Sequence, residues 1–321
     1  MATVSQARES AIAAAEARRR NWTPYLFLAP SAVLVLLFFF IPAILLFWVS
    51  LTNQASSNFS NPDFIGLENY RIILNDRFVG TIFLNTIFYV VVTLICFNVG
   101  MALIIALVST HIDRRSGIFF RTLWMLPRLT PSVIYIMMWK RIAAGPPYGI
   151  LNALLAPLGV EGVNWLSAHG SPWLFVILSN GFIGASFGMI IFTSAIESIP
   201  KELMRAALVD GATIWQRIRF LILPYLRWPL LFVVTYQSLS LLTSFEMIWL
   251  LTDGGPGLYR TEVWALTAYK RALANYFGNA QWGQASAWAV FLVIIGIALS
   301  VIYMRYFRFG ELVSEPKIEV L

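Results

Sequence analysis

Long apolar runs constrain this chain more than any other feature of its sequence. A helix that crosses a membrane needs about 20 mostly apolar residues, and six stretches reach or exceed that length. The candidate spans are residues 24–51, 82–109, 119–142, 172–198, 225–252 and 283–306. Prolines inside these runs are compatible with spanning helices, because neighbouring helices can satisfy the carbonyls that a proline leaves free. The sequence therefore predicts an all-α integral membrane protein with six transmembrane helices.

The composition excludes several other classes of protein. Only 12% of the 321 residues are charged, whereas a soluble domain carries about 25%. The net charge is +7, but no basic stripe is interleaved with aromatic residues, so nucleic-acid binding is not expected. The lone Cys96 excludes an intrachain disulfide and is expected to be a small buried side chain. His111 and His169 lie in separate predicted loops, and we expect no metal site.

The distribution of basic residues predicts the orientation of the spans. If the N-terminus is cytoplasmic, fifteen of the 23 Lys and Arg residues lie on the cytoplasmic side and seven lie in outside loops. Lys and Arg accumulate in cytoplasmic loops, so both termini are predicted to be cytoplasmic. We expect a cytoplasmic N-terminal segment at 1–23, a membrane domain at 24–306 and a cytoplasmic tail at 307–321. A cytoplasmic loop at about 199–224 separates spans four and five.

This cytoplasmic loop has the signals of two short helices. Glu202 falls in the first turn of the first helix, where a carboxylate favours the positive end of the helix dipole. Gly211 is a typical C-terminal stop, and Thr213 with Gln216 forms a capping box for the second helix. From the residues alone, two hypotheses remain open. The loop is either a passive turn on lipid headgroups or a docking element for a cytoplasmic partner.

The stretch RAALVDGATIWQRIRFLILP, residues 205–224, resembles the cytoplasmic loop of ABC importer permeases. Within that family it is most similar to the maltose-type carbohydrate-uptake branch. The matching positions of the loop are Ile199-Pro200, Glu202-Leu203, Ala206-Ala207, Asp210-Gly211-Ala212 and Ile222-Leu223-Pro224. Arg205 departs from the pattern, because the family usually has a glutamate there.

The resemblance extends along nearly the whole chain. In the first span it includes Phe27 to Pro30 and Ile41-Pro42, and in the third Leu126-Pro127 and Pro131. The matching loop segments are IGLENY (65–70), YGILN (148–152) and LTDGGPG (251–257). These segments occur in the same order as in the branch.

The resemblance implies the partners of the chain. The loop would be a coupling helix that sits in a cleft of an ATP-hydrolysing subunit, with contacts from Glu202, Arg205, Ala206, Ala207, Asp210, Gly211 and Ala212. It also implies a second, homologous permease, two ATP-binding cassette subunits and an external or periplasmic solute-binding protein in a bacterial inner membrane. The chain itself would be non-catalytic and bind no cofactor. None of its four lysines follows a glycine, so it lacks a Walker A motif, and ATP and Mg would be used by the partner subunits.

Two charged residues inside the predicted spans are candidates for the substrate pathway. Charges are costly in a membrane, so Arg128 in the third span and Glu246 in the fifth are functional hypotheses. One hypothesis is that either residue faces a water-filled cavity, and another is that the two pair with each other. The alternatives are that Arg128 extends to lipid phosphates and that Glu246 has a structural role.

Polar residues of spans four and five complete the candidate pathway. Tyr236, Ser240, Thr243 and Ser244 fall near one helical face, and Asn180 lies in span four. Hydroxyls and an aromatic ring together suit a sugar, although hydrogen bonding between helices is an equal alternative. Gly184 and Gly188 form a G-x-x-x-G pattern, which favours helix packing over lining of the pathway.

The sequence does not name the substrate, and two other classes of function were weighed. A neutral mono- or disaccharide is the default, while Arg128 leaves open an anionic sugar or glycerol phosphate. A secondary transporter should show inverted repeats with broken helices, and no repeat is evident. A membrane-bound enzyme should show a cluster of carboxylates or histidines at one depth, and Glu246 is the one carboxylate found in a predicted span away from its ends.

Overall fold

The computed structural model describes residues 23–167, 171–273 and 278–306. The predicted N-terminal segment, apart from Thr23, and the predicted tail lie outside these residues, as does His169. The regular structure of the described residues is helical, with one isolated β-bridge between Thr52 and Phe64. The prediction of an all-α chain is therefore confirmed for the described residues.

Thirteen helices account for most of the described chain. In order they are α1 (Tyr25–Ser50), α2 (Glu68–Leu74), α3 (Val79–His111), α4 (Arg114–Leu129), α5 (Ser132–Ile142), α6 (Ile150–Leu155), α7 (Ser171–Glu197), α8 (Lys201–Val209), α9 (Ile214–Tyr225), α10 (Arg227–Thr243), α11 (Glu246–Thr252), α12 (Trp264–Ala272) and α13 (Trp282–Tyr306). Single 3₁₀ turns occur at Ser56–Asn58 and Ala156–Leu158.

Four of the described helices are long and apolar enough to cross a membrane. These are α1, α3, α7 and α13, and they correspond to predicted spans one, two, four and six. A fifth is obtained if α9 and α10, which are bent by 65° relative to each other, count as one broken span. The structure thus shows a helical protein with four or five candidate spans, and the count of six stays a prediction.

The third predicted span, residues 119–142, is not one helix. Helix α4 ends at Leu129, Thr130 is extended with ψ 135°, and α5 begins at Ser132. Pro131 lacks an N–H, and its ring disfavours helical backbone at the residue before it. The expectation of a continuous helix is correct for Pro127, which lies inside α4, and wrong for Pro131.

The fifth predicted span, residues 225–252, is also interrupted. Helix α10 ends at Thr243, Ser244 is extended with ψ 120°, and α11 begins at Glu246. The Thr243 hydroxyl donates to the carbonyls of Leu239 and Ser240, and such local bonds compete with the regular helical ladder. Glu246 therefore lies in the first turn of a short helix, where its charge favours the dipole, and not in a continuous span.

Close contact between α3 and α7 forms part of the core. A Cβ atom on Gly184 would collide with the Asn98 side chain, and one on Gly188 would collide with the Asn98 carbonyl and with Ala102. The G-x-x-x-G prediction of helix packing is therefore confirmed, and the absence of side chains lets the two backbones approach. Cys96, two residues before Asn98, is exposed, so the expectation that it is buried is wrong.

Candidate functional site

A polar cavity of about 420 Å³ lies where the two helix breaks meet α3 and α7. The α4–α5 break supplies one wall, and α10 with the start of α11 supplies another. The lining residues are Asn98, Arg128, Thr130, Ser132, Asn180, Ile183, Gly184, Tyr236, Gln237, Ser240, Leu241, Ser244 and Met247. A volume of this size falls in the range of small-molecule sites.

Most of the residues predicted for a substrate pathway meet at this cavity. Those that line it are Arg128, Asn180, Tyr236, Ser240 and Ser244. Glu246 is next to the lining, because its Oε1 accepts a hydrogen bond of 2.8 Å from the Ser132 hydroxyl. Thr243 does not line this cavity and lines a different one, so its place in the pathway stays a prediction. Residues 236, 240 and 244 follow each other at i+4 spacing, whereas Thr243 is rotated by about one residue, or 100°, around α10.

Sequence reasoning missed several lining residues. Asn98 was overlooked because it stands alone in the long apolar run of α3. Thr130 and Ser132 reach the cavity because the helix is interrupted between them, which the prediction of a continuous span did not anticipate. Gln237 lines the cavity and its Nε2 donates to the Gly184 carbonyl at 2.9 Å, so it joins α10 to α7.

Arg128 points toward α7 from the end of α4. Its Nη1 donates to the Ser186 hydroxyl at 3.4 Å, and its Cζ atom lies 5.7 Å from the centroid of the Phe187 ring. In the described part of the chain no carboxylate lies within 4.0 Å of the guanidinium, so the predicted alternative of a pair with Glu246 is wrong. Phe187 in turn stacks on Tyr236, with ring centroids 4.7 Å apart.

One hydrogen bond joins the two helix breaks. Ser132 is the first residue of α5 and Glu246 is the first residue of α11, so their side-chain contact links the starts of both helices. Helix α5 is also tied to α7, because the Tyr135 hydroxyl donates to the Ser179 carbonyl at 2.8 Å. The broken helices are therefore held against each other and against an unbroken one.

The predicted coupling loop forms a helix, a glycine turn and a second helix. Gly211 has φ +75°, and the N–H groups of Gly211 and Ala212 donate to the carbonyls of Leu208 and Ala207. These two bonds are a Schellman motif that ends α8. The predicted capping box is present at the start of α9, where Thr213 and Gln216 each accept the other's backbone N–H.

The coupling loop exposes charged and apolar side chains together. Glu202, Arg205, Ala206, Asp210 and Gly211 are exposed, and Ala207 and Ala212 are partly buried. Within the described residues, no salt bridge involves a charged side chain of this set.

The apolar side chains of the same loop are also uncovered. Exposed large ones are Leu208, Val209, Ile214 and Trp215, and the exposed fraction of Val209 reaches 88%. Met204 is the residue of α8 that packs against the hydrophobic core. The α8–α9 connection thus projects from the rest of the chain.

The LTDGGPG segment forms a different kind of turn, between α11 and α12. Lys270 donates to the Glu262 carboxylate at 2.9 Å and to the Asp253 carbonyl at 2.8 Å, and the Glu262 side chain is 3% exposed. Burial raises the pKa of Glu262, while the hydrogen bond from Lys270 opposes the rise. Burial favours neutral Lys270, but the hydrogen bond and charge of Glu262 outweigh this and raise the pKa of Lys270.

Comparison with known proteins extends over nearly the whole chain. The trehalose/maltose transport system permease protein MalF of Thermococcus litoralis is 28% identical over 287 residues, which is 89% of this chain and 93% of that protein. The probable ABC transporter permease protein YurN of Bacillus subtilis is 31% identical over 290 residues, covering 90% and 97%. A crystal structure of a bacterial ABC transporter involved in the import of the acidic polysaccharide alginate shares the fold. Its TM-score is 0.76 at 23% identity, with 94% of this chain and 99% of that chain covered.

Residues 98–310 match the family described as binding-protein-dependent transport system inner membrane component. The match begins at Asn98 of the cavity and includes both helix breaks, the coupling loop and the α11–α12 connection. This chain belongs to that family of inner-membrane transport components.

Proposed function

We propose that this chain is the permease subunit of an ATP-driven, binding-protein-dependent importer for a sugar or sugar derivative. The observation that carries the proposal is the polar cavity at the two helix breaks. It gathers hydroxyls, amides and an aromatic ring in a chain that is otherwise apolar. The relative named for trehalose and maltose transport supports a carbohydrate as the substrate.

The cavity residues have the chemistry to hold a saccharide. Ser240 and Ser244 present hydroxyls, Asn180 presents an amide, and Tyr236 presents a ring that is half exposed. Sugar hydroxyls both donate and accept hydrogen bonds, and the C–H face of a sugar ring packs on an aromatic ring. The chain makes and breaks no covalent bond of the substrate in this function.

The membrane arrangement we propose has six spans, with both termini cytoplasmic. Helices α4 and α5 together would form the third span, and α10 with α11 would form the fifth. The segment at 1–23 and the tail at 307–321 would then be cytoplasmic, and 24–306 would be the membrane domain in contact with lipid. Broken spans beside a central cavity are the arrangement that lets transporters line a pathway with irregular backbone.

The α8–α9 connection is proposed to be the coupling element. Its exposed Leu208, Val209 and Trp215 would seat against a cytoplasmic ATP-binding cassette subunit, since large apolar side chains grouped on a surface mark interaction sites. Two such subunits would use ATP and Mg. Their closure on each other would move this loop and the corresponding loop of a homologous second permease. The cavity would then open alternately to the solute-binding protein outside and to the cytoplasm.

Co-purification tests this proposal directly. Val209→Glu places a charge on the most exposed apolar residue of α8, and Leu258→Glu, at a side chain that is 77% exposed in the α11–α12 connection, is the matched control. We expect Val209→Glu to release the ATP-binding cassette subunits and abolish ATP-driven uptake, with the control unchanged. A Val209→Glu complex that stays assembled and transports normally would contradict the coupling role.

A further inference from the structure

We propose that the cavity binds a saccharide that carries a negatively charged group, a carboxylate or a phosphate, held by Arg128 at the end of α4, beside the start of α5. The inference rests on the proposed function, because it takes the cavity to be the substrate site. It goes further by naming the chemical class of the substrate. Four features of the cavity carry it.

The first feature is the charge of the lining. Arg128 is the one charged side chain among the thirteen residues that line the cavity. The nearby Glu246 is outside the lining, accepts a hydrogen bond from Ser132, and lies in the first turn of α11. An arginine in a predicted span favours an anionic neighbour, and no carboxylate of the described residues takes that place within 4.0 Å.

The second feature is the unused hydrogen-bonding capacity of Arg128. A guanidinium has five N–H donors in a planar fork that matches carboxylate and phosphate oxygens. Among the described residues its side chain has one hydrogen bond, the 3.4 Å contact with Ser186. The Phe187 ring lies 5.7 Å from the guanidinium carbon, and a cation–π contact of this kind does not occupy the N–H donors. Most donors of the fork are therefore available to a ligand.

The third feature is the start of α5, which meets the same cavity. This eleven-residue helix begins after Pro131, and no side chain caps it. The first N–H groups of a helix have no acceptor within the helix, and the dipole makes that end electropositive. Thr130 and Ser132 on either side of the start both line the cavity. The helix start, whose positive potential the Glu246 carboxylate beside Ser132 partly offsets, and Arg128 thus border the same space.

The fourth feature is an unpaired amide that shares the lining with Arg128. Asn98 is fully buried, and neither its Oδ1 nor its Nδ2 has a hydrogen-bond partner among the described residues. Buried polar side chains are paired in the large majority of cases. A sugar hydroxyl donates and accepts at once, so it can satisfy an amide that needs both. Asn98 accounts for the saccharide part of the ligand, and Arg128 accounts for its charge.

A thermal-shift measurement on the full chain in lipid nanodiscs tests the inference. The probes are glucose, glucuronic acid and glucose 6-phosphate at one concentration, with sodium sulfate at matched ionic strength as the control for general anion effects. We expect glucuronic acid or glucose 6-phosphate to raise the midpoint of unfolding by several degrees while glucose and sulfate do not. The probe that acts distinguishes a carboxylate from a phosphate.

Variants assign the effect to Arg128. We expect Arg128→Gln to abolish the shift and Arg128→Lys to reduce it by at least half, because lysine keeps the charge but loses the fork. Arg71→Gln, at a side chain that is 75% exposed, should keep the full shift. If Arg128→Gln does not fold, the comparison of wild type, Arg128→Lys and Arg71→Gln decides the question.

Three outcomes overturn the inference. Stabilisation by glucose equal to that by the anionic sugars, an undiminished shift in the Arg128 variants, or no shift with any sugar would each remove the anionic class. None of them bears on co-purification of the ATP-binding cassette subunits with Val209→Glu. Failure of the inference is therefore distinguishable from failure of the importer proposal.

Discussion

The α8–α9 and α11–α12 connections both turn at a glycine of positive φ, but they differ in what surrounds them. Gly211 has φ +75°, and a Cβ added there would meet nothing within 4 Å. Gly254 also has φ +75°, but a Cβ there would collide with the Glu262 carboxylate. The α11–α12 connection is folded on its own charged groups, whereas the α8–α9 connection leaves its charged groups exposed. The charged side chains of the α11–α12 connection are paired with each other, so this connection is a structural element. Those of the α8–α9 connection are exposed and unpaired among the residues that the structure describes, so this connection is the candidate for docking.

The largest expected effect is the loss of the buried ion pair in the α11–α12 connection. Lys270→Met leaves the Glu262 carboxylate buried with Thr267 as its remaining side-chain hydrogen-bond donor. Removing one partner of a buried pair is strongly destabilising, and we expect a loss of about 3 kcal/mol in the free energy of unfolding. Chemical unfolding of the full chain in lipid nanodiscs measures it.

The control for this prediction is an exposed pair. Arg71→Met breaks the 3.8 Å contact with Glu68, whose partners are 75% and 51% exposed. Such pairs contribute roughly 0–1 kcal/mol, so little change is expected. Equal losses in the two variants would show that the buried pair has no special role.

Lys270→Met should also change how the free energy of unfolding depends on pH. Burial raises the pKa of Glu262 above the ordinary value of a glutamate, so the folded state holds the proton to higher pH than the unfolded state does. Stability therefore falls as pH rises through this window. Lys270→Met removes the opposing influence of the lysine and raises this pKa further. The stability deficit relative to wild type should be smaller at pH 5 than at pH 8, and an equal deficit at both would contradict the assignment.

An intermediate effect is expected at the two glycines themselves. Gly211→Ala should lose about 1–2 kcal/mol, the usual cost of left-handed backbone for a residue with a Cβ. Gly254→Ala has the same backbone cost and also displaces the Glu262 carboxylate from Lys270, so its loss should be at least twice as large. Unfolding of both variants in nanodiscs gives the comparison. Equal losses would mean that the Glu262 carboxylate moves away from a Cβ at residue 254 without a cost in free energy.

The smallest expected effect concerns the cap of the α8–α9 connection. Thr213→Ala removes the side-chain acceptor for the Gln216 N–H, and loss of such an N-cap costs about 1 kcal/mol or less at an exposed site. Thr213→Ser keeps the hydroxyl and is the matched control, with no change expected. If Thr213→Ala lost more free energy of unfolding than Gly254→Ala, the exposed α8–α9 connection would contribute more to the stability of the fold than its few contacts predict.

Local signals in the sequence were sufficient for much of the fold. The helices α1, α3, α7 and α13 follow from apolar length, and the Gly211 turn with its Thr213–Gln216 box follows from caps that lie within a few residues of each other. These features depend on neighbours along the chain. Sequence reasoning could therefore reach them without any knowledge of packing.

Features that depend on distant contacts were missed. Pro127 and Pro131 look alike in the sequence, yet one lies inside a helix and the other follows a break. The pairing of Glu262 with Lys270 was also missed, because no local sequence pattern marks two charged residues eight positions apart as partners. Five of the seven residues predicted for the pathway line the cavity, because polar groups in apolar helices are conspicuous. Thr243 does not line the cavity, because it is rotated around α10 relative to its neighbour Ser244, which does.

The two interruptions at Thr130 and Ser244 have a consequence for how the cavity can vary among related sequences. An interrupted helix leaves its last carbonyl groups without partners in the helical ladder, and these groups are present whatever side chain the residue carries. In the proposed function, substitution at the lining would change which saccharide is held, while the main-chain carbonyls would keep their capacity to accept hydrogen bonds from hydroxyls. Recognition at such a site would depend partly on side chains, which mutation can change, and partly on main-chain carbonyls, which mutation leaves in place.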